Sequence, residues 1–145
     1  MEFGERLKEK RIEAGIKQKD LAKAADITVR TLQYYENGNR KPSNILIVKK
    51  FADVLGTTTE ELLGTADTLV LEAKEKAGSR AARDIEQLVS EVSGLFAGGT
   101  LSEDSLDGAM KALSDAYWIA KENNKKYGVR KSAKVKVRRV DKSRL

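Results

Sequence analysis

The first 64 residues alternate amphipathic stretches with turn residues. Within each stretch, apolar side chains recur every three or four positions, which is the period of a helix with one buried face. This pattern predicts a helix over residues 3–14 and a second, shorter helix over residues 18–25. Thr28 is a good N-cap for a third helix, which we expect to end at Gly38.

Two more helices are predicted to complete this region. Ser43 is expected to cap a fourth helix, whose apolar side chains lie within residues 45–55. Thr58 and Glu61 have the spacing of a capping box, which predicts a short fifth helix. Because only short loops join these five helices, we expect a compact helical domain over residues 1–64.

Residues 65–79 follow no clear period and are expected to form a linker. The apolar run Leu69-Val70-Leu71 fits either a short strand near residues 68–72 or a turn of helix. Gly78 would interrupt whichever of the two forms. The sequence leaves these two alternatives open.

The following segment, residues 80–124, predicts a helical hairpin. Apolar side chains recur at helical spacing over residues 80–97, and Gly98-Gly99 then turns the chain. Ser102 is expected to cap a second helix with an apolar stripe over residues 106–120. Neither helix can bury its stripe alone, so the hairpin would pack on the first domain, on a second copy of itself or on a partner.

The net charge of +6 is distributed unevenly along the chain. Residues 125–145 form a basic tail with ten basic side chains and one acidic side chain, whereas residues 1–124 carry a net charge of −3. The high isoelectric point therefore reflects the tail and is no argument for a basic globular domain. Residues 133–140 alternate partly like an edge strand, although the tail equally suits a flexible arm that neutralises phosphates or a solubilising end.

The amino-acid composition excludes several classes of function. The sequence has no cysteine and no histidine, which excludes disulfides, thiolate nucleophiles, Cys/His zinc sites and imidazole catalysis. No paired carboxylates fall in a recognisable active-site pattern, so we expect no enzyme, no metal and no cofactor. The apolar runs are too short to span a bilayer, and the first residues lack a signal-like apolar stretch. We therefore expect a cytoplasmic protein that does not bind a membrane.

Residues 18–38 carry a recognisable motif. The pattern is Gln18-x-x-Leu21-Ala22-x-x-x-Asp26-Ile27-Thr28-x-x-Thr31-Leu32-x-x-Tyr35-Glu36-x-Gly38. This motif resembles the helix-turn-helix of the Cro/cI-type (XRE) family, and the flanking residues within 1–64 are similar to that family as well. The resemblance implies an all-α fold, in which a five-helix lambda-repressor-like DNA-binding domain precedes the hairpin and the basic tail.

One position departs from the family's pattern. The family usually has glycine where Asp26 stands, because the turn between the two motif helices needs a positive φ. Aspartate tolerates that backbone region better than most side chains do. We therefore expect the turn to form, at some cost in stability.

The third predicted helix is the candidate element for reading bases. A helix about 10 Å in diameter fits the major groove of B-DNA, which is about 12 Å wide. Arg30 can bind guanine with two hydrogen bonds, and Gln33 can pair in the same way with adenine. Val29 or Tyr34 can contact the methyl group of thymine. The candidate base contacts are therefore Val29, Arg30, Gln33 and Tyr34.

Contacts to the DNA backbone would position the domain without reading sequence. The resemblance implies that Gln18 hydrogen-bonds a phosphate at the start of the second helix. It also implies that Arg11 and Glu36 form an internal ion pair, which we expect to be structural. The candidate backbone contacts are Lys17, Gln18, Thr28, Asn37, Arg40 and Lys41.

The sequence thus predicts a sequence-specific regulator of transcription that binds double-stranded DNA. We expect a repressor that acts as a homodimer on a palindromic operator, with half-sites about one helical turn apart. The resemblance also implies a regulatory protein partner (an antirepressor, a protease or a toxin), which would act on the C-terminal half. The alternative is an antitoxin-like or adaptor protein, whose hairpin binds a protein partner and whose DNA binding serves autoregulation.

Overall fold

The computed structural model describes residues 2–95, 97, 99 and 102–141, with side chains up to residue 124. This part of the chain is all-α, as the sequence predicts, and contains no strand. In chain order its helices are α1 (Phe3–Glu13), α2 (Gln18–Ala24), α3 (Val29–Asn37), α4 (Ile45–Leu55), α5 (Thr59–Leu63), α6 (Thr65–Ala77), α7 (Ser79–Leu95) and α8 (Glu103–Asp141).

The first five helices enclose one apolar core. Each helix contributes at least one side chain that is fully removed from solvent. Burying a side chain of this size stabilises the fold by about 1.5–3 kcal/mol relative to leaving it exposed. Since all five helices share the same core, their relative positions are fixed together. The five side chains are Leu7, Leu21, Leu32, Phe51 and Leu62.

Helix α1 approaches α3 closely at Gly4. A Cβ atom on Gly4 would overlap the backbone carbonyl oxygen of Tyr35. Beside this contact, the ring of Phe3 meets the ring of Tyr35 edge-on, with centroids 6.1 Å apart. Tyr35 meets Phe51 in the same way, also at 6.1 Å. The close approach requires a residue without a side chain, so Gly4 determines where the C-terminal half of α3 lies.

The caps of these helices follow the sequence with one exception. Thr28 and Thr58 cap α3 and α5 as predicted, each accepting a hydrogen bond from the backbone N–H three residues later, at 3.0 and 3.1 Å. The cap of α4 is Asn44 and not the predicted Ser43. Asn44 Oδ1 accepts a hydrogen bond from the N–H of Leu46 at 2.8 Å. Because the side-chain amide reaches the second N–H of the helix, α4 begins one residue later than expected.

Residues 65–77 form α6, so of the two alternatives near residues 68–72 the helix is confirmed and the strand is wrong. The three apolar residues in this stretch face two different cores. Leu71 packs against the core of the first five helices, whereas Leu69 and Val70 pack against the cluster formed by the last three. Because its apolar contacts are divided between two cores, α6 lacks the single apolar stripe that makes a helix recognisable in a sequence. The segment expected as a linker is therefore helical along most of its length.

Helices α6, α7 and α8 pack together as a second unit. Ala73 of α6 and Ala81 and Ile85 of α7 form its fully buried centre. Tyr117 and Trp118 of α8 cover this centre from the third side. The two helices expected as a hairpin therefore share their apolar surface with a third helix. The proposed division of the chain at residues 64, 79 and 124 stays a prediction.

The second unit docks on the first through α6. Only Gly64, with a φ of +94°, separates α5 from α6. Lys74 Nζ of α6 donates a hydrogen bond to the carbonyl oxygen of Ser43 at 3.4 Å. Lys111 Nζ of α8 lies 3.7 Å from a carboxylate oxygen of Glu60 in α5. The second unit therefore lies against the α4–α5 side of the first domain.

The last helix is longer than the sequence suggests. Because α8 runs to Asp141, the strand that was one alternative for residues 133–140 is wrong. Four of the eight residues over 133–140 are lysine or arginine, and both of these residue types favour helix. Phe96 and Gly98, and the side chains of the basic tail over 125–145, lie outside the described residues. Among the described helices, none combines the length and the apolar character needed to cross a membrane.

Candidate nucleic-acid interface

A tight turn sets α2 against α3. Asp26 adopts a φ of +58° and is the only non-glycine residue in the described chain with a positive φ. This conformation is the one that the sequence predicts for the position. The N–H of Ile27 donates a hydrogen bond to the carbonyl oxygen of Ala22 at 2.9 Å, and the side chain of Ile27 packs on the core. The turn therefore anchors the start of α3 to the scaffold.

Helix α3 has a buried face and an open face. It packs on α1 and α2 through Leu32, Tyr35 and Glu36, all of which are buried. The second unit docks mainly on α4 and α5. The side chains predicted to contact bases lie on the open face: Val29, Arg30 and Gln33 are exposed and Tyr34 is half-buried.

A buried ion pair lies beneath α3. Arg11 Nε donates to Glu36 Oε2 at 2.6 Å, and Arg11 Nη2 donates to Glu36 Oε1 at 3.1 Å. The Glu36 side chain is only 2% exposed and that of Arg11 12%. Arg11 Nη1 also donates to the carbonyl oxygen of Ile16 at 3.0 Å. The two charges therefore join α1, α3 and the loop before α2.

Gln18 connects this ion pair to the open face of α3. Its Nε2 donates to Glu36 Oε1 at 3.0 Å, and its Oε1 accepts from Gln33 Nε2 at 3.3 Å. A side-chain amide has two N–H groups, so one donor of Gln18 remains for a phosphate oxygen. The sequence placed Gln18 and Gln33 at separate DNA contacts and gave no signal that they touch.

Two arginine side chains lie against the ring of Tyr34. Arg30 Nε donates to the Tyr34 hydroxyl at 2.8 Å, and its guanidinium carbon lies 5.6 Å from the ring centroid. The guanidinium carbon of Arg40 lies 5.8 Å from the same centroid. Sequence reasoning assigned Tyr34 to a base edge and missed this cluster. The four-residue spacing of Arg30 and Tyr34 on one helix could have predicted their contact, but nothing comparable indicated the contact of Arg40 with the ring.

The remaining candidate contacts flank α3 at both ends of the motif, and all five are exposed. Three ion pairs occur within the described side chains, and none of them uses Lys17, Arg30, Arg40 or Lys41. Exposed cations without an acidic partner suit a polyanionic ligand. Lys17 and Thr28 lie before α2 and α3, and Asn37, Arg40 and Lys41 lie at and beyond the end of α3.

Comparison with known families agrees with this geometry. Residues 7–62 match the family model described as Helix-turn-helix. Residues 7–62 therefore form a helix-turn-helix domain of the XRE type. The match begins in α1 and ends in α5, so this DNA-binding regulator domain coincides with the first helical unit. No curated protein and no solved structure matched the chain.

Proposed function

We propose that this XRE-type regulator is a repressor of transcription that binds a palindromic operator as a homodimer. The observation that supports this proposal is the open face of α3. Arg30 and Gln33 stand exposed on a helix whose opposite face is buried in a rigid core. Side chains on such a helix can enter the major groove without unfolding any part of the domain.

In this proposal the side chains of the motif divide into two groups. Arg30 donates to guanine, Gln33 pairs with adenine, and Val29 contacts a thymine methyl group. Tyr34, the fourth candidate base contact, lies beside them. The second group binds phosphates and fixes the register of the domain on the duplex. That group comprises Lys17, Gln18, Thr28, Asn37, Arg40 and Lys41.

The proposed dimer contact is the surface formed by α7 and α8. Leu95 of α7 and Leu113 of α8 expose 81% and 41% of their surfaces, so both side chains are available for contact with a second copy. A two-fold axis through this surface would present two copies of α3 to one side of the duplex. The bound dimer would then cover two half-sites about one helical turn apart and exclude other proteins from a promoter.

Selection of bound DNA from a random pool tests this function. The wild-type protein is expected to select an inverted repeat, and the Arg30→Ala variant is expected to lose the preference at one base position in each half-site. Losing a bidentate arginine contact costs about 1–3 kcal/mol of discrimination. A pool that stays random with the wild-type protein contradicts sequence-specific binding.

A reporter gene separates repression from activation. The selected inverted repeat is placed across a promoter, and transcription is measured with and without the wild-type protein. Repression predicts a fall in transcription that the Arg30→Ala variant does not produce. A rise in transcription with the wild-type protein contradicts the repressor assignment while leaving DNA binding intact.

Sedimentation of two charge variants tests the dimer. Leu113→Glu places a charge on the proposed contact, so the variant is expected to sediment as a monomer. Ile12→Glu makes the same change on α1, where Ile12 is 59% exposed, and should leave the mass unchanged. A wild-type protein that is monomeric at all concentrations, or a Leu113→Glu variant that remains dimeric, contradicts this contact.

A further inference from the structure

We infer that Tyr34 is a positioning residue for two cations of the interface, holding Arg30 toward a guanine and Arg40 toward a neighbouring phosphate. The inference rests on the proposed function, because the two cations act on DNA. It changes the role of Tyr34 from a contact with a base to a residue that acts through its neighbours. Three features of the cluster support it: a hydrogen bond, a backbone turn and the charge balance.

The hydrogen bond from Arg30 fixes which of its nitrogen atoms can face a base. Arg30 Nε is occupied by the Tyr34 hydroxyl at 2.8 Å. The remaining donors are on Nη1 and Nη2, which form the end of the guanidinium group. These two nitrogens match the O6 and N7 acceptors of guanine in the major groove. Because the side chain is already restrained in the free protein, less conformational entropy is lost on binding.

The backbone turn after α3 brings Arg40 to the same ring. Gly38 adopts a φ of +81°, which reverses the chain direction at the end of the helix. The N–H groups of Asn39 and Arg40 then donate to the carbonyl oxygen of Tyr34, at 2.9 and 3.2 Å. Tyr34 therefore restrains Arg40 through its backbone as well as through the face of its ring.

The charge balance of the cluster favours an anionic partner. Two guanidinium groups converge on one ring, and both arginines are exposed. The electron-rich face of a tyrosine attracts cations but carries no net charge to neutralise them. A duplex supplies both missing groups, since a base edge offers acceptors and the adjacent backbone offers a phosphate. The cluster is therefore prepared for two different contacts at one place on DNA.

Tyr34→Phe isolates the hydrogen bond, because it removes the hydroxyl group and keeps the ring. We expect binding to the selected site to weaken about threefold to tenfold, which is the range for one hydrogen bond. The preference for guanine should relax, while the slope of affinity against salt concentration stays unchanged. Tyr117→Phe is the matched control: it removes a hydroxyl that donates to Asp84 at 2.9 Å in the second unit, and it should bind DNA like the wild type.

A double-mutant cycle distinguishes positioning from direct contact. In an Arg30→Ala background, Tyr34→Phe should cause no further loss of affinity or preference, because there is no arginine left to hold. A hydroxyl that contacts DNA directly would instead give the same loss in both backgrounds. Tyr34→Ala removes the ring as well, and should also lower the salt slope by about one phosphate contact as Arg40 is released.

The outcomes separate this inference from the function on which it rests. A relaxed preference in Tyr34→Phe that vanishes in the Arg30→Ala background supports the inference. Normal selection by the wild type, together with an unchanged Tyr34→Phe variant or additive losses, overturns the positioning role and leaves the proposed function standing. A random pool with the wild type overturns both. Circular dichroism of each variant verifies that α3 remains folded.

Discussion

Asp26 adopts a left-handed backbone conformation at a position where the XRE-type motif favours glycine, with a φ of +58°. This backbone conformation costs an L-residue about 1–2 kcal/mol, and it costs aspartate less than most because its short side chain is polar. The carboxylate also lies just beyond the C-terminus of α2, where the helix dipole disfavours a negative charge. Two separate effects therefore make this residue destabilising.

Replacing Asp26 with glycine is expected to stabilise the protein. The gain should be about 0.5–1 kcal/mol, since relief of the backbone strain and of the dipole exceeds the added entropy of the unfolded chain. Urea denaturation measures it. The matched control is Gly38→Ala, at a φ of +81° with open space around the new methyl group, which should lower the stability. A less stable Asp26→Gly variant would contradict the strain at this turn.

The Arg11–Glu36 pair gives a second prediction for single residues. Arg11→Met leaves the buried Glu36 carboxylate without its cation, which should lower the free energy of unfolding by about 3–5 kcal/mol. The neighbouring Lys10 pairs with Glu61 at 3.7 Å, where both side chains are well exposed. Lys10→Met should therefore change the stability by less than about 1 kcal/mol. If urea denaturation gave similar losses of stability for the two variants, burial of the Arg11–Glu36 pair would not explain its contribution.

At the level of elements, α1 and α3 approach each other closely at Gly4. Gly4→Ala places a methyl group against the carbonyl oxygen of Tyr35, so α1 and α3 must separate. We expect a loss of about 1–3 kcal/mol in stability and weaker DNA binding, because α3 also carries the proposed base contacts. Thermal unfolding and titration with the selected site measure the two effects.

Gly108 in α8 provides the matched control for this substitution. It is helical and exposed, and nothing lies near the position of a new methyl group. Gly108→Ala should therefore stabilise the protein by about 0.5–1 kcal/mol through helix propensity. If both substitutions shift the melting temperature in the same direction, the α1–α3 approach is not as tight as the structure indicates.

The elements also show what the sequence could and could not predict. Helices α3 and α5 were predicted with their caps, because the signals at Thr28 and Thr58 are local. For α6 the sequence left helix and strand undecided, because its apolar residues pack against two cores and so lack a single periodic stripe. The open face of α3 followed from spacing alone. The contact of Arg40 with the Tyr34 ring could not be predicted from spacing, because Arg40 reaches the ring through a reversal of the backbone that depends on the folded domain.

On the scale of the whole molecule, Glu60 reports on the contact between the two units. Partial burial by itself would raise the pKa of Glu60, but hydrogen bonds from its own N–H and from the Thr59 hydroxyl and the charge of Lys111 outweigh it. The pKa is therefore lower than its ordinary value of 4.5. A carboxyl group with a lowered pKa stabilises the fold above that ordinary value, and the contribution is lost as the pH falls through the lowered one.

This shift predicts how the stability of Glu60→Gln depends on pH. At neutral pH the variant should be less stable than the wild type, because it lacks the charged form that the fold favours. Below the ordinary value of 4.5 the two free energies of unfolding should converge as the wild-type carboxylate becomes protonated. Urea denaturation across this range measures the difference. A constant difference at every pH would rule out linkage through this carboxyl.

The single residue between α5 and α6 has a consequence for the spacing of operator sequences. Gly64 is the whole connection between α5 and α6, and α6 packs on α4 and α5. The DNA-binding domain and the surface proposed to pair two copies are therefore joined without a long linker. A dimer built this way would hold its two copies of α3 at a fixed separation. Inserting one base pair between the half-sites would put them out of phase, and the duplex itself would have to twist to restore the fit.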